Sequence, residues 1–382
     1  MHKKLAATAV STALFAWAHN AHATNGDQMI GMTATQWGMA GAVVAAPQDA
    51  GTIMSNPAGL AELGMKEVRF DMGFGLLNPP RKANGAESDS DYYLIPSGAV
   101  AFNVNDRLYL GMGMAGLSGM GVDFADVMAA APGSQAVVTT KQFYKIAPGF
   151  GFKVSDKLSV GAALNIDYQS LAIHNTAFTL PQNQVYGFGA SAGLIYKFSN
   201  RLQVGASWIS KQNMDEFQWN TTAGRYAMTM DAPQQFALGV AFKPMPGLLV
   251  EVDVKHIGFS DVLDRVAFQT PAGPSVMNFG WDDQIVYAIG VQKEINSKTT
   301  VRAGFNYGKS PIDPEDVNAN IGSLAVTEKH LSVGVTRKLS DKVAASLSYM
   351  HAFHNDVTSN VAPRNKIELE QNIANVQISY QF

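Results

Sequence analysis

The feature that most constrains the fold of this chain is an alternation of apolar and polar residues, sustained over about ten residues at a time. Residues 248–255 read Leu-Leu-Val-Glu-Val-Asp-Val-Lys, and residues 374–382 read Ala-Asn-Val-Gln-Ile-Ser-Tyr-Gln-Phe. Because successive side chains of a β-strand point to opposite faces, this period of two predicts long strands with one apolar and one polar face.

Short polar turns separate these stretches at nearly regular intervals. The turns begin near residues 105, 155, 199, 244, 296 and 340, which are 44 to 52 residues apart. Each interval holds two long strands and one longer polar loop. The pattern predicts fourteen strands, near residues 66–77, 93–104, 108–116, 140–154, 157–172, 185–198, 202–213, 233–243, 248–260, 283–295, 299–308, 327–339, 342–354 and 367–382.

The composition and motifs exclude several classes of function. The 382 residues carry a net charge of −3, so nothing indicates binding to nucleic acid. The chain has no cysteine, which excludes disulfides, zinc–thiolate sites and thiol catalysis. The sequence contains no nucleophile elbow, phosphate-binding loop or set of metal ligands. We therefore expect no enzymatic activity, no cofactor and no metal.

Residues 1–23 predict an exported protein. Two lysines precede an apolar run, and Ala21-His22-Ala23 has the small-x-small pattern of a signal peptidase site. We expect the mature chain to begin at Thr24. The alternative is an uncleaved membrane anchor, which would need about 20 apolar residues, and this run is shorter.

An exported chain of long two-faced strands can close into a barrel that turns its apolar face to lipid. A β-propeller repeats at similar intervals, but its blades hold four short strands. A soluble sandwich has strands of about five or six residues, whereas about ten is the membrane-spanning length. We therefore predict an all-β fold, with residues 66–382 forming a transmembrane antiparallel barrel of about fourteen strands and both termini in the periplasm.

Residues 24–65 precede the first strand and lack its alternation. They contain the small-residue run 38–42, Gly-Met-Ala-Gly-Ala, then an Asp-Ala pair at 49–50 and the sequence Asn-Pro-Ala-Gly-Leu at 56–60. A barrel of this size has a lumen too wide for wall side chains to fill. We therefore predict that residues 24–65 form a small hatch, or plug, inside the lumen.

These motifs resemble the FadL/TodX/OmpP1 family of outer-membrane transporters for long-chain fatty acids and other hydrophobic compounds. Asn56, Pro57 and Ala58 match the family's hatch motif, and the resemblance covers the whole mature length. The terminal Phe382 resembles the assembly signal of Gram-negative outer-membrane barrels. The resemblance implies a multi-pass protein in the cell outer membrane of a Gram-negative bacterium, surrounded by lipid and inserted by the barrel assembly machinery.

The resemblance also implies a function. Family members are monomeric barrels in which extracellular loops capture a hydrophobic small molecule, either a long-chain fatty acid or, in some branches, an aromatic hydrocarbon. The substrate passes a hatch-gated luminal site and leaves sideways through a kinked third strand. A general diffusion porin is the alternative, although it would need an open and highly charged lumen. A third alternative is an adhesin, but the predicted loops are short for that function.

The third predicted strand and its neighbour are candidates for this lateral opening. Glycine inside a strand weakens pairing and marks bends, and the third strand carries Gly111, Gly113 and Gly116. Pro96, in the preceding strand, cannot donate a ladder hydrogen bond and falls opposite about Ala115 or Gly116. The alternative is that the glycines only make room for a neighbouring segment.

Residues 117–139 are predicted to form the first long extracellular loop, with a short amphipathic helix over 123–131. Apolar side chains on such a loop suit the capture of hydrophobic molecules. The candidates are Leu117, Met120, Phe124 and Met128. The alternative is that they cap the mouth of the barrel.

Several ionisable residues fall on the inward-facing positions of the predicted strands. They are Arg69, Asp71, Asp167, Glu251, Asp253, Lys255, Arg302 and His330. Because a fatty acid carboxylate binds Arg or Lys, the candidate luminal contacts are Lys255 and Arg302.

Overall fold

The computed structural model describes residues 24–125 and 137–382. The predicted signal peptide, residues 1–23, lies outside the described residues, as does Met128. Fourteen antiparallel strands form a closed barrel, because the last strand pairs with the first, from Gln381 opposite Arg69 to Asn372 opposite Asn78. The predicted fold class and strand number are therefore confirmed.

The barrel strands pair in chain order, each antiparallel to the next. Numbered β1 to β14, they are Val68–Asn78, Tyr93–Asn103, Leu108–Asp123, Val138–Lys153, Leu158–His174, Thr179–Lys197, Leu202–Ile209, Gln235–Met245, Leu248–Ile257, Gln284–Asn296, Thr299–Gly308, Lys329–Lys338, Val343–Thr358 and Lys366–Gln381.

Two strands differ most from their predicted bounds. β3 ends at Asp123 instead of residue 116, and β6 begins at Thr179 instead of residue 185. In residues 117–123 glycines interrupt the alternation, and residues 179–184 are mostly polar. The pattern that a lipid-facing strand requires is therefore absent from both extensions, although each pairs with its neighbour.

The outward faces of the strands are apolar, as expected of a wall in contact with lipid. Met72 and Leu238 each expose 66% of their surface. The predicted inward ionisable residues lie on the opposite face, where they are buried or half-buried.

Residues 24–65, here called the hatch segment, form a compact and mostly buried unit. It contains two paired two-residue strands (Thr24–Asn25 and Gln28–Met29), helices α1 (Ala34–Gly38) and α2 (Thr52–Ser55), and a 3₁₀ helix (Pro57–Glu62). Its backbone contacts inward-facing side chains of the barrel. Among the described residues, no helix has the length and hydropathy needed to cross a membrane.

The loops after β7, β9 and β11 (residues 210–234, 258–283 and 309–328) fold together at one end of the barrel, and we call them the loop cap. A four-stranded sheet joins two of them: Phe217–Thr221, Gly224–Met228, Arg265–Thr270 and Gly273–Asn278. The remaining short elements of residues 24–125 and 137–382 are strands Arg81–Ala83, Ala86–Glu87 and Asn213–Met214, helix α3 (Ser260–Leu263) and a 3₁₀ helix (Val317–Ala319).

An apolar core holds the loop cap together. The rings of Phe217 and Trp219 stack with centroids 5.5 Å apart, and those of Phe259 and Trp281 meet edge to face at 5.1 Å. These side chains are almost fully buried. The loops therefore fold onto the end of the barrel around an apolar core that they share with the strand ends, for example Phe143 and Leu171. The alternation in the sequence does not predict this core.

Candidate functional site

Two carboxylates on β9 hold the hatch segment across the lumen. Asp253 accepts hydrogen bonds from the backbone N–H groups of residues 43–44, at 2.8 and 3.0 Å. Glu251 accepts hydrogen bonds from those of residues 45–46, at 2.6 and 3.0 Å. The backbone N–H groups of four consecutive residues of the hatch segment are satisfied by these two side chains, which we call the clamp.

A second attachment joins the hatch segment to the seam where the barrel closes. Gln377 on β14 donates hydrogen bonds to Asp49 of the hatch segment (3.0 Å) and to Asp71 on β1 (3.1 Å). Asp71 also accepts from the backbone N–H of Ala50 (2.9 Å) and from Nε of Arg69 (2.8 Å). The Arg69 guanidinium offsets part of the charge of the two neighbouring carboxylates.

The predicted hatch motif is a buried turn. Asn56 Oδ1 accepts from the backbone N–H of Ala58 (3.2 Å), while its Nδ2 donates to the carbonyl oxygens of Val44 (2.7 Å) and Leu194 (3.2 Å). Pro57 occupies the first position of the 3₁₀ helix, where a missing N–H costs nothing. The motif therefore ties two parts of the hatch segment to β6.

Inward-facing glycines give the hatch segment room against the wall. A Cβ atom at Gly161 would overlap the backbone of Pro57, and one at Gly193 would overlap the side chain of Asn56. Only glycine permits so close an approach between two backbones. These glycines are part of the docking surface of the hatch segment.

Two of the glycines predicted to open the wall belong to this docking surface. A Cβ atom at Gly111 would lie 2.8 Å from Leu60, and one at Gly113 would lie 2.7 Å from Ile53. Both glycines are in the part of β3 that pairs with β2. The prediction of a lateral opening was therefore wrong for Gly111 and Gly113, because they make room for the hatch segment in a closed part of the wall.

The wall is interrupted farther along the same two strands. The β2–β3 ladder ends with the pair Ser97–Ala115. Beyond it, residues 93–96 continue to pair with β1 and residues 118–123 with β4, but these two described stretches form no ladder with each other. We call the gap between residues 93–96 and 116–123 the wall window.

Pro96 and Gly116 lie at the edge of this window, each one residue beyond the last ladder pair. Proline offers no N–H to a ladder. The register of β3 against β4 shifts between Gly116 and Ser118, which is the mark of a bulge at Leu117. A strand that bulges on one side and meets a proline on the other loses its pairing there.

The window has a defined frame. At its outer end, the Asp89 N–H donates to the carbonyl of Asp123 (2.9 Å), and the Asp123 N–H donates to Ser88 Oγ (3.0 Å). On the luminal side, Gln28 of the hatch segment pairs with Ser118. A cavity of about 260 Å³, the window cavity, is lined by side chains from residues 24–29, 92–95, 116–121 and 141–144.

A second cavity, of about 350 Å³, lies between the loop cap and the outer ends of β3 to β5. We call it the outer cavity. Its apolar lining comes from Met120, Val137, Leu171, Ile173, Met228, Met230, Met277, Phe279 and Ile321. Met120 and Lys141 line both this cavity and the window cavity, so the two adjoin.

The loop-capture candidates occupy different places. Leu117 and Met120 lie in β3, so the prediction that they belong to a loop was wrong: β3 continues because it pairs with β4 as far as Asp123. Phe124 is fully buried in the core of the loop cap. Of the described candidates, Met120 is the one that lines the outer cavity.

The two luminal candidates lie on opposite sides of the clamped hatch residues. Lys255 lines an inner cavity of about 70 Å³ together with Lys145. Arg302 lines a separate cavity of about 420 Å³ near the turn between β8 and β9, and it donates to Thr336 Oγ1 (2.7 Å) and Gln48 Oε1 (3.3 Å). The structure does not bring Lys255 and Arg302 into one site.

Sequence reasoning missed two buried lysines on β4. Lys141 and Lys145 are each 5% exposed. They lie four residues apart on the inward face of a predicted strand, which is the same signal that singled out Lys255. Lys145 stands opposite Asp167 in the β4–β5 ladder.

Lys141 forms a buried ion pair with the hatch segment. Asp27 Oδ2 accepts from Lys141 Nζ (2.8 Å) and Ser118 Oγ (2.6 Å), and its Oδ1 accepts from Gln28 Nε2 (2.7 Å). Asp27 lies outside the membrane-spanning strands. Burial raises the pKa of Asp27, but the charge of Lys141 and the three hydrogen bonds outweigh it and hold this pKa below its usual value.

Within residues 24–125 and 137–382, no group of three or more His, Asp or Glu side chains is placed to hold a metal ion.

Residues 13–382 match the sequence profile of the family described as outer membrane protein transport protein (OMPP1/FadL/TodX). The chain belongs to this family. FadL/TodX members are transporters of hydrophobic small molecules rather than enzymes, and this chain is an outer-membrane transport protein of that kind.

Solved structures share the fold of this FadL/TodX member at low sequence identity. The P. putida toluene transporter TodX has a TM-score of 0.76 and 18% identity, over 92% of this chain and 99% of that one. A Pseudomonas aeruginosa FadL homologue has a TM-score of 0.75 and 13% identity, over 94% and 100%. The Ralstonia pickettii toluene transporter TbuX has a TM-score of 0.72 and 17% identity, over 92% and 98%. Comparison with curated protein sequences gives no significant match.

Proposed function

We propose that this protein takes up hydrophobic molecules, long-chain fatty acids above all, through the outer cavity and the wall window. The observation that carries the proposal is the end of the β2–β3 ladder at Ser97–Ala115, beside a cavity that adjoins the outer cavity. A gap in the side of a barrel leads into lipid. Such a gap therefore provides an exit for molecules that partition out of water and into a membrane.

Capture takes place in the outer cavity. Its methionines have unbranched, flexible side chains that adapt to ligands of different shape. Burying one methylene group of an alkyl chain contributes about 0.8 kcal/mol to the free energy of binding. A cavity with this lining therefore favours long chains and does not select among their shapes.

Release takes place sideways. Met120 and Lys141 line both cavities and mark the passage from the outer cavity to the window cavity. Leu94 lines the window cavity and is 61% exposed on the barrel surface, so it stands where the passage meets the membrane. Gly116 and Pro96 form the edge of this exit.

The hatch segment acts as the gate of the lumen in this proposal. The chain would divide into a signal peptide (1–23), a hatch (24–65) and a barrel (66–382). The Glu251–Asp253 clamp keeps residues 43–46 across the lumen, which argues against a general diffusion porin. The inner cavity, with Lys145 and Lys255, is the candidate luminal binding site for a carboxylate.

We further propose that the protein works as a monomer, without catalytic activity, in the outer membrane of a Gram-negative bacterium. The apolar outer face would be solvated by lipid, and the barrel assembly machinery would insert the chain.

Closing the window by a crosslink tests the route. The chain has no cysteine, so the double variant Ile95→Cys/Gly116→Cys can form only one intramolecular disulfide. A Cβ atom at Gly116 would lie 3.4 Å from Cγ2 of Ile95 across the window. We expect the oxidised variant to lose uptake of labelled oleate and a reductant to restore it. The control is Val100→Cys/Met112→Cys, in the paired part of the same strands. Full uptake by the oxidised window variant would refute lateral release.

Aromatic hydrocarbons are the second candidate substrate, because TodX and TbuX are named as toluene transporters. Uptake of labelled oleate and of labelled toluene should be compared in a strain lacking the protein, with and without the gene restored. We expect the gene to restore oleate uptake more than toluene uptake. The reverse result would assign the hydrocarbon, and restoration of neither would contradict the proposed function.

A further inference from the structure

The buried ion pair between Asp27 and Lys141 lies where the outer cavity meets the window cavity. Asp27 belongs to the hatch segment and Lys141 to the barrel wall, and their side chains are 0% and 4% exposed. Asp27 lines the window cavity, whereas Lys141 lines both cavities. A substrate on the proposed route must pass this pair.

The wall presents a carboxylate site at this point, and Asp27 occupies it. Lys141 Nζ and Ser118 Oγ both donate to the same oxygen of Asp27, at 2.8 and 2.6 Å. Both donors come from the barrel, from β4 and β3. The group that they hold has the same chemistry as the head group of a fatty acid: one planar carboxylate with one negative charge.

The surroundings suit an alkyl chain attached to such a head group. The outer cavity brings methionine, leucine and isoleucine side chains to one side of Lys141. The window cavity brings Leu77, Leu94 and Ile95 to the other. A carboxylate bound at Lys141 could therefore place its chain in either cavity.

The ion pair also fixes the first residues of the hatch segment. Asp27 sits in the turn between the strands Thr24–Asn25 and Gln28–Met29, next to Gly26. Gly26 has a φ of +58°, and a Cβ atom there would lie 2.5 Å from the ring of Phe259. The ion pair therefore adds to the contacts that hold residues 24–29 beside the window, such as the hydrogen bond from Thr24 Oγ1 to Gln371 (2.9 Å).

We propose that a substrate carboxylate exchanges with the Asp27 carboxylate at Lys141 and Ser118. The inference rests on the proposed function. A neutral hydrocarbon cannot take the place of Asp27, so the exchange makes Lys141 a residue that determines specificity for anionic amphiphiles. No bond is made or broken, and the charge at the site is unchanged when one carboxylate replaces another.

Two variants with two ligands test the exchange. Equilibrium binding of radiolabelled dodecanoate and of its methyl ester should be measured at pH 8 on the purified full-length barrel in detergent. Asp27→Asn keeps the shape of the side chain but removes the competing charge. We expect it to bind dodecanoate about tenfold more tightly, which corresponds to about 1.4 kcal/mol, and to bind the ester as before. Lys141→Gln should weaken dodecanoate binding about tenfold and leave the ester unchanged.

The double variant Asp27→Asn/Lys141→Gln keeps the site uncharged and controls for misfolding in either single variant. It should bind the acid and the ester with similar affinity. If the ratio of acid to ester affinity is the same in all four proteins, the exchange is refuted while hydrophobic transport stands. If the unaltered protein binds neither ligand, the proposed function itself fails.

Discussion

At the scale of single residues, what a glycine does depends on which face of the wall carries it. Gly161 faces the hatch segment at a distance that excludes any side chain, whereas Gly98 faces outward with its nearest neighbour, Met72, 3.9 Å from an added Cβ. The two residues look alike in the sequence. Their substitutions should have different effects.

Gly161→Val should displace the hatch segment, because the new side chain would overlap the backbone of Pro57. We expect a steady conductance in planar bilayers at least several-fold above that of the unaltered protein. The matched control is Gly98→Val, which should leave conductance unchanged. Equal conductance in both variants would mean that the hatch segment does not seal the lumen.

Asn56→Ala should loosen the hatch segment without opening the barrel. The substitution leaves the buried carbonyl of Val44 without this donor, at a cost of about 1–3 kcal/mol, and removes the hydrogen bond to the carbonyl of Leu194 on β6. Amide hydrogen exchange should become faster in residues 43–60, whereas the strands should keep their protection. Asn56→Asp retains the acceptor for Ala58 but not the donor, so it should show the same loss. If amide hydrogen exchange in residues 43–60 stays the same in both variants, Asn56 does not hold the hatch segment in place.

At the scale of single elements, β3 has two different surroundings along its length. Its first half is a paired wall that the hatch segment packs against, and its second half borders the window. The bulge at Leu117 separates the halves. Substitutions in the two halves should therefore affect different steps of transport.

Gly116→Val should narrow the window, since an added Cβ would lie 3.3 Å from Tyr144 and 3.4 Å from Ile95. We expect slower oleate uptake with normal assembly, read from the heat-dependent mobility of the barrel in gels. Gly113→Val, three residues earlier, should instead disturb the hatch segment and raise conductance. If both variants change only uptake, or both change only conductance, the division of β3 into two parts is refuted.

The sequence predicts β3 less well than most strands, and the reason is physical. A glycine that leaves a ladder unpaired and a glycine that makes room for another backbone look the same in the sequence. The sequence therefore could not distinguish the role of Gly116 from that of Gly111. Proline alone does not decide the matter either, because Pro96 lies at the window whereas Pro148 keeps its place opposite Met112 in the β3–β4 ladder. Lys141 has the same inward position as Lys255, but its pairing with Asp27 could not be predicted, because Asp27 is 114 residues away in the hatch segment.

At the scale of the whole molecule, membrane solvation explains why the barrel could be predicted and the loop cap could not. Lipid requires an apolar side chain at every second position, and this requirement is local in sequence. The loop cap depends on pairing between distant segments, such as Met228 with Phe268. No local sequence pattern predicts a pairing between segments so far apart in the chain.

The proposed sealing of the lumen by the hatch segment gives a prediction for the whole molecule. Glu251→Ala/Asp253→Ala removes the acceptors of four backbone N–H groups in residues 43–46. We expect this variant to conduct ions steadily, and Asp156→Ala, in an exposed turn, to remain closed. A closed double variant would show that the clamp is dispensable for sealing.

The seam of the barrel carries one further consequence. Asp49 of the hatch segment and Asp71 of the first strand share Gln377 of the last strand as their donor, and 306 residues separate Gln377 from Asp71. This three-residue contact can exist only after the two ends of the sheet have met. During biogenesis, an unfinished sheet therefore lacks this attachment of the hatch segment, and we expect the hatch segment to be fully fastened only once the wall has closed.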